Sequence, residues 1–443
     1  MLHKVLTAIV RAGSSPLDSK RLRSRLGPLD ERPFRLLWIG RTISDAGDAL
    51  VPLAIAFAVL HLSGSAADLG LVLAALFTAR VVFILAGGVW SDRLPRQLVM
   101  VVADLVRAAV HGLIAIAFFT DSIEVWQLIV SSAVFGAASA FFGPASTGLV
   151  KTIVGPERLQ EANALLGISD SAVSIFGPAL AGLLVTTVGY GVVFAIDAVT
   201  FLVSAVFLVA MRLPWRTTER TRTTFLSDVA RGVGEVRRRT WLWTAFIAFA
   251  VSNLSIATYF VLGPLVVRDE LGGASRWGLI LTAGAIGGVV GSAIALRWKP
   301  ERPLIPAFAL MLSVPLQLVA LVPPLPVPVL MVAAGLSLAS IAIGNALWHT
   351  MLQQHVPRET ISRVSALDWM VSLVFMPLGY TTVGPLSDAI GVDPTLLLAA
   401  GIGACANLAI LLVPAVRTLG RVEALTPPGA AETPLPAGAP LVP

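Results

Sequence analysis

Apolar and polar positions along this chain fall into long blocks, not the short alternations of a soluble fold. Twelve apolar runs follow one another, separated by short polar turns and one longer linker after the sixth, and each is about as long as the roughly 20 residues that cross a bilayer as a helix. They cover Phe34 to Leu60, Leu69 to Trp90, Gln97 to Phe119, Val125 to Val150, Ala162 to Thr187 and Tyr190 to Met211 in the first half. In the second half they cover Trp241 to Val267, Ala274 to Leu296, Pro303 to Val322, Pro326 to Gln354, Ile361 to Ala389 and Val392 to Val413. The predicted fold class is an all-α membrane protein of twelve transmembrane helices in two six-helix repeats. Its parts are a basic arm over 1–32, halves over 33–211 and 241–414, a linker over 212–240, and a tail over 415–443. The tail is Ala, Pro and Gly rich and is expected to be disordered.

An internal repeat supports the division. Pro156-Glu157 follows the fourth run and leads to Ala164-Leu165 and Gly177-Pro178, while Pro357-Arg358-Glu359 follows the tenth and leads to Ala366-Leu367 and Pro377. The proline-to-proline intervals are 22 and 20 residues.

Composition narrows the class further. A chain that is 56% hydrophobic and 13% charged, with mean hydropathy +0.84, has too few polar residues to build soluble surfaces. The net charge of +6 does not point to nucleic acid, because 27 of the 32 lysines and arginines lie at the amino-terminal end, in the even-numbered connections and in the tail. That asymmetry is the positive-inside pattern, which places both termini of a multi-pass cell (inner) membrane protein in the cytoplasm. The arm Met1 to Arg32 is expected to lie on anionic membrane lipid. Cys405, the single cysteine, reads as a small apolar core residue. No Walker loop, zinc cluster or serine elbow occurs, so no cofactor, metal or enzyme chemistry is expected and energy must come from an ion gradient.

One stretch organises the rest. Gly87 to Arg107 reads G-G-V-W-S-D-R-L-P-R-Q-L-V-M-V-V-A-D-L-V-R, a tight polar turn between the second and third runs. It resembles the signature loop of the major facilitator superfamily, with Gly88, Asp92, Arg93 and Arg96 on the matching positions and Pro95 departing from the usual pattern. The A-D-L-V-R segment, with Asp104 and Arg107, resembles the macrolide-efflux and enterobactin-exporter branch. In the fifth run, Gly177, Pro178 and Gly182 resemble the antiporter motif of exporters, with Ala181 replacing one glycine. The resemblance implies alternating access by rocking of two halves in a monomer, with these nine residues in conformational gating. It also implies that Asp92 faces a helix of the second half, and the amino end of the eleventh run near Ser362 to Ser365 is the candidate partner because its dipole favours an anion.

Charges within apolar runs are the candidate chemistry, because each costs roughly 2.5–3.5 kcal/mol on insertion scales. Counting from the cytoplasmic end of each run at 1.5 Å per residue, Asp45 lies about 16 Å deep, Arg80 and Arg107 about 15 Å, and Arg41 and Asp104 near 10 Å. Equal depth suggests interhelical salt bridges as one reading. The other is proton coupling through Asp48, Asp45, Arg41 and Arg80, since burial raises a carboxylate's pKa and a neighbouring arginine lowers it. Asp48, about 21 Å deep with no equally deep arginine, is the preferred carrier. Asp170 and Asp368 read as structural.

The resemblance assigns the substrate cavity mainly to the first, fourth, seventh and tenth helices. Ser132, Phe135, Ser139 and Phe142, with Asn253 and Tyr259, and Asn345, His349 and Gln353 at i, i+4 and i+8, are the candidate lining. Such a mixed apolar and neutral-polar wall suits a small lipophilic or amphipathic molecule. His349 and His111 read either as titrating groups or as packing histidines. The expected activity is secondary active export of a drug, macrolide, siderophore or secondary metabolite by proton antiport. The alternatives are an importer or facilitator of the same fold, or a non-transporting membrane sensor.

Overall fold

The computed structural model describes residues 27–213, 233–357 and 360–421, apart from the side chains over 85–93 and at 362, 363, 366, 369 and 371–374. Most of the arm and tail and the middle of the linker fall outside those residues, as do the side chains of Gly88, Asp92 and Arg93.

Twelve helical spans follow one another, and no strand occurs among the described residues. They are α1 (Arg32–Leu62), α2 (Ala66–Arg93), α3 (Arg96–Phe119), α4 (Val125–Ile153), α5 (Leu159–Thr187) and α6 (Tyr190–Ala210). The second half contains α7 (Thr240–Glu270), α8 (Ala274–Arg297), α9 (Leu304–Val319), α10 (Val327–His355), α11 (Ile361–Ile390) and α12 (Val392–Leu411). Outward faces carry bare apolar side chains such as Leu113, Phe176, Val206 and Leu296. This is the arrangement expected where the surrounding solvent is lipid, and the chain is a multi-pass membrane protein. Cys405 belongs to this exposed surface, not to the core.

Proline breaks two spans. Pro52 has no N–H to offer the carbonyl of Asp48, so α1 stops at Asp48 and resumes at Val51. Pro315 does the same to α9, which divides into Leu304–Leu310 and Ser313–Val319. The sequence had suggested an unbroken run in both places.

The two halves pack alike. In the first, α1 and α3 lie on α6 and α2 lies on α4; in the second, α7 and α9 lie on α12 and α8 lies on α10. Between the halves the main contacts are α2 on α11 and α5 on α8. Small residues set their closeness. A Cβ at Gly278 would run into the carbonyl of Pro178, and one at Gly182 would come within 2.7 Å of the carbonyl of Ala274. Gly70 meets the carbonyl of Tyr380 in the same way. All these approaches lie at the start of α2 and α8 and toward the end of α5 and α11, on the face opposite the chain termini. Arg268, at the end of α7, adds a 2.6 Å hydrogen bond to the carbonyl of Leu60 at the end of α1. The assembly is therefore sealed on that face.

Candidate functional site

Beneath the seal lies a cavity of about 690 Å³. Its first-half wall carries Arg41, Asp45, Asp48, Arg80, Arg107 and Asp170. Its second-half wall is Phe260, Pro264, Trp277, Leu281, Met376 and Tyr380, with no charged side chain. Both walls carry apolar and aromatic side chains, Phe77, Phe135 and Phe142 among them in the first half, and the charges stand on the first-half wall alone.

The charges are committed unequally. Arg41 holds Asp45 at 3.2 Å one turn along α1 and reaches Asp170 of α5 at 3.2 Å. Arg107 pairs with Asp104 three residues before it, and both are buried. The guanidinium of Arg107 lies 4.4 Å from the Phe142 ring centroid and 4.2 Å from that of Phe201, a cation–π clamp that offsets part of the cost of burying it. Equal depth did not decide the pairing. Two of the three pairs run along one helix, at the i,i+3 and i,i+4 spacings that bring side chains together on a helix face, and the third joins α1 to α5. Asp45 does not meet Arg80, and Arg41 does not meet Asp104.

Asp48 and Arg80 remain, each without a hydrogen bond or ion pair among the described residues. The break that Pro52 imposes sets Asp48 at the end of the first α1 segment. There Ala49 N–H closes on Asp45 O at 3.0 Å and Leu50 N–H on Gly47 O at 2.9 Å. The Asp48 carboxylate is half-buried and opens on the cavity.

Of the residues expected to contact substrate, Phe135, Ser139 and Phe142 line the cavity. Ser132 is buried behind the wall, and Tyr259 is buried against Trp277 with ring centroids 4.9 Å apart. Asn253 stands elsewhere on α7, and Asn345, His349 and Gln353 form an exposed face of α10 that does not line this cavity. On the second-half side α7, α8 and α11 supply the lining instead, through Phe260, Trp277, Leu281, Met376 and Tyr380.

Among the gating candidates, Arg96 donates to the carbonyl of Gly148 at 2.7 Å, tying α3 to α4. Gly177 packs against Ala49 at the α1 break, where an added Cβ would come within 2.6 Å of the alanine methyl. Pro178 and Gly182 belong to the seal. Sequence reasoning missed Asp197 altogether. It is fully buried on α6, 2.5 Å from Nδ1 of His111 on α3. The available signal was a single acidic residue inside the otherwise apolar run Tyr190 to Met211.

The Major Facilitator Superfamily profile matches residues 37–380, most of the chain. The chain belongs to the Major Facilitator Superfamily. Among curated relatives of this superfamily member, macrolide efflux protein A of Streptococcus pyogenes is 24% identical over 396 residues, covering 87% of this chain and 97% of that protein. The multidrug efflux pump Tap of Mycobacterium tuberculosis is 29% identical over 413 residues, covering 87% and 94%. Among solved structures, a bacterial homolog of the human lysosomal transporter Spinster, inward-facing and unoccupied, superposes with a TM-score of 0.71. It shares 14% identity, with 91% of this chain and 98% of that chain covered. A bacterial homologue of the iron transporter ferroportin, also inward-facing, gives 0.66 at 17% identity, covering 86% and 99%. These structural likenesses concern the fold.

Proposed function

We propose that this superfamily member exports a small lipophilic or amphipathic compound by proton antiport, through alternating access of the cavity to the two sides of the membrane. The observation that carries the reading is Asp48, an unpaired carboxylate at a helix break that opens on a cavity whose charges all stand on one wall and whose aromatic rings stand on both. A carboxylate so placed has a protonated form suited to the apolar side of its surroundings and an ionised form suited to a cationic or polar head group. The aromatic wall of α7, α8 and α11 would hold the lipophilic body of the same molecule.

The named efflux pumps among the relatives support outward transport. The excess of lysine and arginine near the termini supports a cytoplasmic location for both, which would turn the seal to the outside and the open end of the cavity to the cytoplasm. The helical halves form one complete unit around the cavity, so a monomer is sufficient for this cycle. Asp45, Arg41 and Arg80 would tune the charge around Asp48. The signature loop with Gly88, Asp92, Arg93 and Arg96 would hold the opposite face together once the seal opens.

The test is proton release in unbuffered detergent solution as tetraphenylphosphonium, ethidium and erythromycin are added in turn. Wild type is expected to acidify the solution on binding, and Asp48→Asn to bind with a smaller signal. Binding without acidification in wild type would replace the antiporter with a facilitator. An equal signal in both proteins would remove Asp48 from the role.

A further inference from the structure

Asp197 and His111 are the most deeply buried ionisable pair that the site so far described leaves unused. Asp197 is wholly buried and His111 is 1% exposed. The carboxylate is bound on one oxygen by Nδ1 of His111 at 2.5 Å and on the other by the hydroxyl of Thr200 at 3.3 Å. A contact that short holds a proton between its two atoms. With one proton the pair is an anion, a neutral imidazole beside a carboxylate. With a second it is neutral overall, an imidazolium beside a carboxylate. A low-dielectric interior burdens a net charge more than a neutral pair.

The neighbours set how it would exchange. Phe135 stacks on the imidazole, with centroids 4.5 Å apart and planes 6° from parallel, and Phe135 also lines the cavity. Phe194 meets the imidazole edge-on at 5.4 Å. Aromatic faces stabilise an imidazolium. The pair is thus separated from the cavity by a single ring. From α1, Gly47 presses on the pair, because a Cβ there would run into Thr200 Oγ1 and come within 2.5 Å of Asp197 Oδ1. The next residue is Asp48.

Asp48 lies within electrostatic range of Asp197, His111, Arg107 and Asp45. The other charged groups facing the pair are Asp104 and Arg107 on α3, which neutralise one another. Between Val125 and Val150, α4 carries no charged residue, and α6 has none besides Asp197. Asp48 is therefore the one uncompensated charge beside the pair.

We propose that the His111–Asp197 pair is a second proton-binding site, one side chain removed from the cavity, that loads and releases a proton alongside Asp48. The proposal rests on the antiport reading above. Asp48 first gives its proton to water in the cavity. The imidazolium N–H of His111 then breaks, the Asp48 carboxylate takes that proton and passes it on, and a neutral imidazole hydrogen-bonded to Asp197 remains.

The experiment counts protons released per tetraphenylphosphonium bound to the full-length protein in unbuffered detergent, for wild type, Asp48→Asn, Asp197→Asn and His111→Gln. Asp197→Asn keeps the shape and a hydrogen-bonding side chain while removing the charge. The expected result is a release in Asp197→Asn and in His111→Gln about half that of wild type, with binding retained. Release equal to wild type in both would make the pair structural and overturn the proposal while leaving antiport through Asp48 intact. Binding without release in wild type would overturn antiport itself.

A measurement on wild type covers the case in which the variants do not fold. Nitrogen-15 spectra of the five histidines are recorded with and without tetraphenylphosphonium. One buried imidazole is expected to pass from the doubly to the singly protonated form on binding. It is assigned in a protein whose His3, His61, His349 and His355 are glutamine. No change in any imidazole overturns the proposal.

Discussion

The Asp104–Arg107 pair shows how a charge is kept in an apolar span. The carboxylate is wholly buried, the guanidinium is nearly so, and Phe142 and Phe201 cover its faces. Removing one member leaves the other uncompensated, which costs roughly 3–5 kcal/mol, whereas removing both costs far less. Arg107→Met should therefore lower the thermal unfolding midpoint in detergent sharply, and Asp104→Leu combined with Arg107→Met should recover most of the loss. An Arg107→Met protein as stable as wild type would show that the pair contributes nothing. Gly47 makes a second case at this scale. An alanine there has to displace Asp197 or Thr200, and overpacking of this kind costs about 1–3 kcal/mol. Gly47→Ala is expected to unfold at a lower temperature than Gly401→Ala, where a Cβ meets nothing within 4 Å.

At the scale of elements, the seal depends on how closely α5 can approach α8. Since Gly278 lies against the backbone of Pro178, a leucine there cannot be accommodated by turning a flexible neighbour aside. Gly278→Leu should push the two helices apart and shift the population away from this closed arrangement. Spin-label distances between the end of α5 and the start of α8 would lengthen by several ångströms, and an unchanged distance would show that the helices do not set the closure.

The element pattern itself was legible in the sequence, because twelve apolar runs and their basic flanks are strong signals. The two broken spans were not read as such, although Pro52 and Pro315 were present. The local pairs Arg41–Asp45 and Asp104–Arg107 were equally readable from their spacing, but depth matching directed attention across helices. His111 and Asp197 are 86 residues apart, and no local pattern joins them. The aromatic wall was illegible for a related reason: Trp277 and Tyr380 reach the cavity only because the halves meet on one face.

For the whole molecule, the cavity divides its charge between the repeats: the first half supplies every charged lining residue, and the second adds Phe260, Trp277 and Tyr380 with no charge. Trp277→Ala and Phe260→Ala should change which compounds bind, with affinities moved by about tenfold for bulky ones, a range set by burying or removing an aromatic contact surface. Proton release per bound molecule should stay as in wild type. A loss of release in either variant would show that the halves do not divide the work.

The closed face has a further consequence. It is made from helix backbones resting on small residues, and its hydrogen bond from Arg268 ends on a carbonyl that does not titrate. Salt and acid in the adjoining medium can act on the exposed Arg268–Asp269 pair beside it but not on those backbone approaches. The barrier on that side should hold equally well in brine, in fresh water and in an acidified habitat, leaving the buried carboxylates as the parts of the molecule that sense their surroundings.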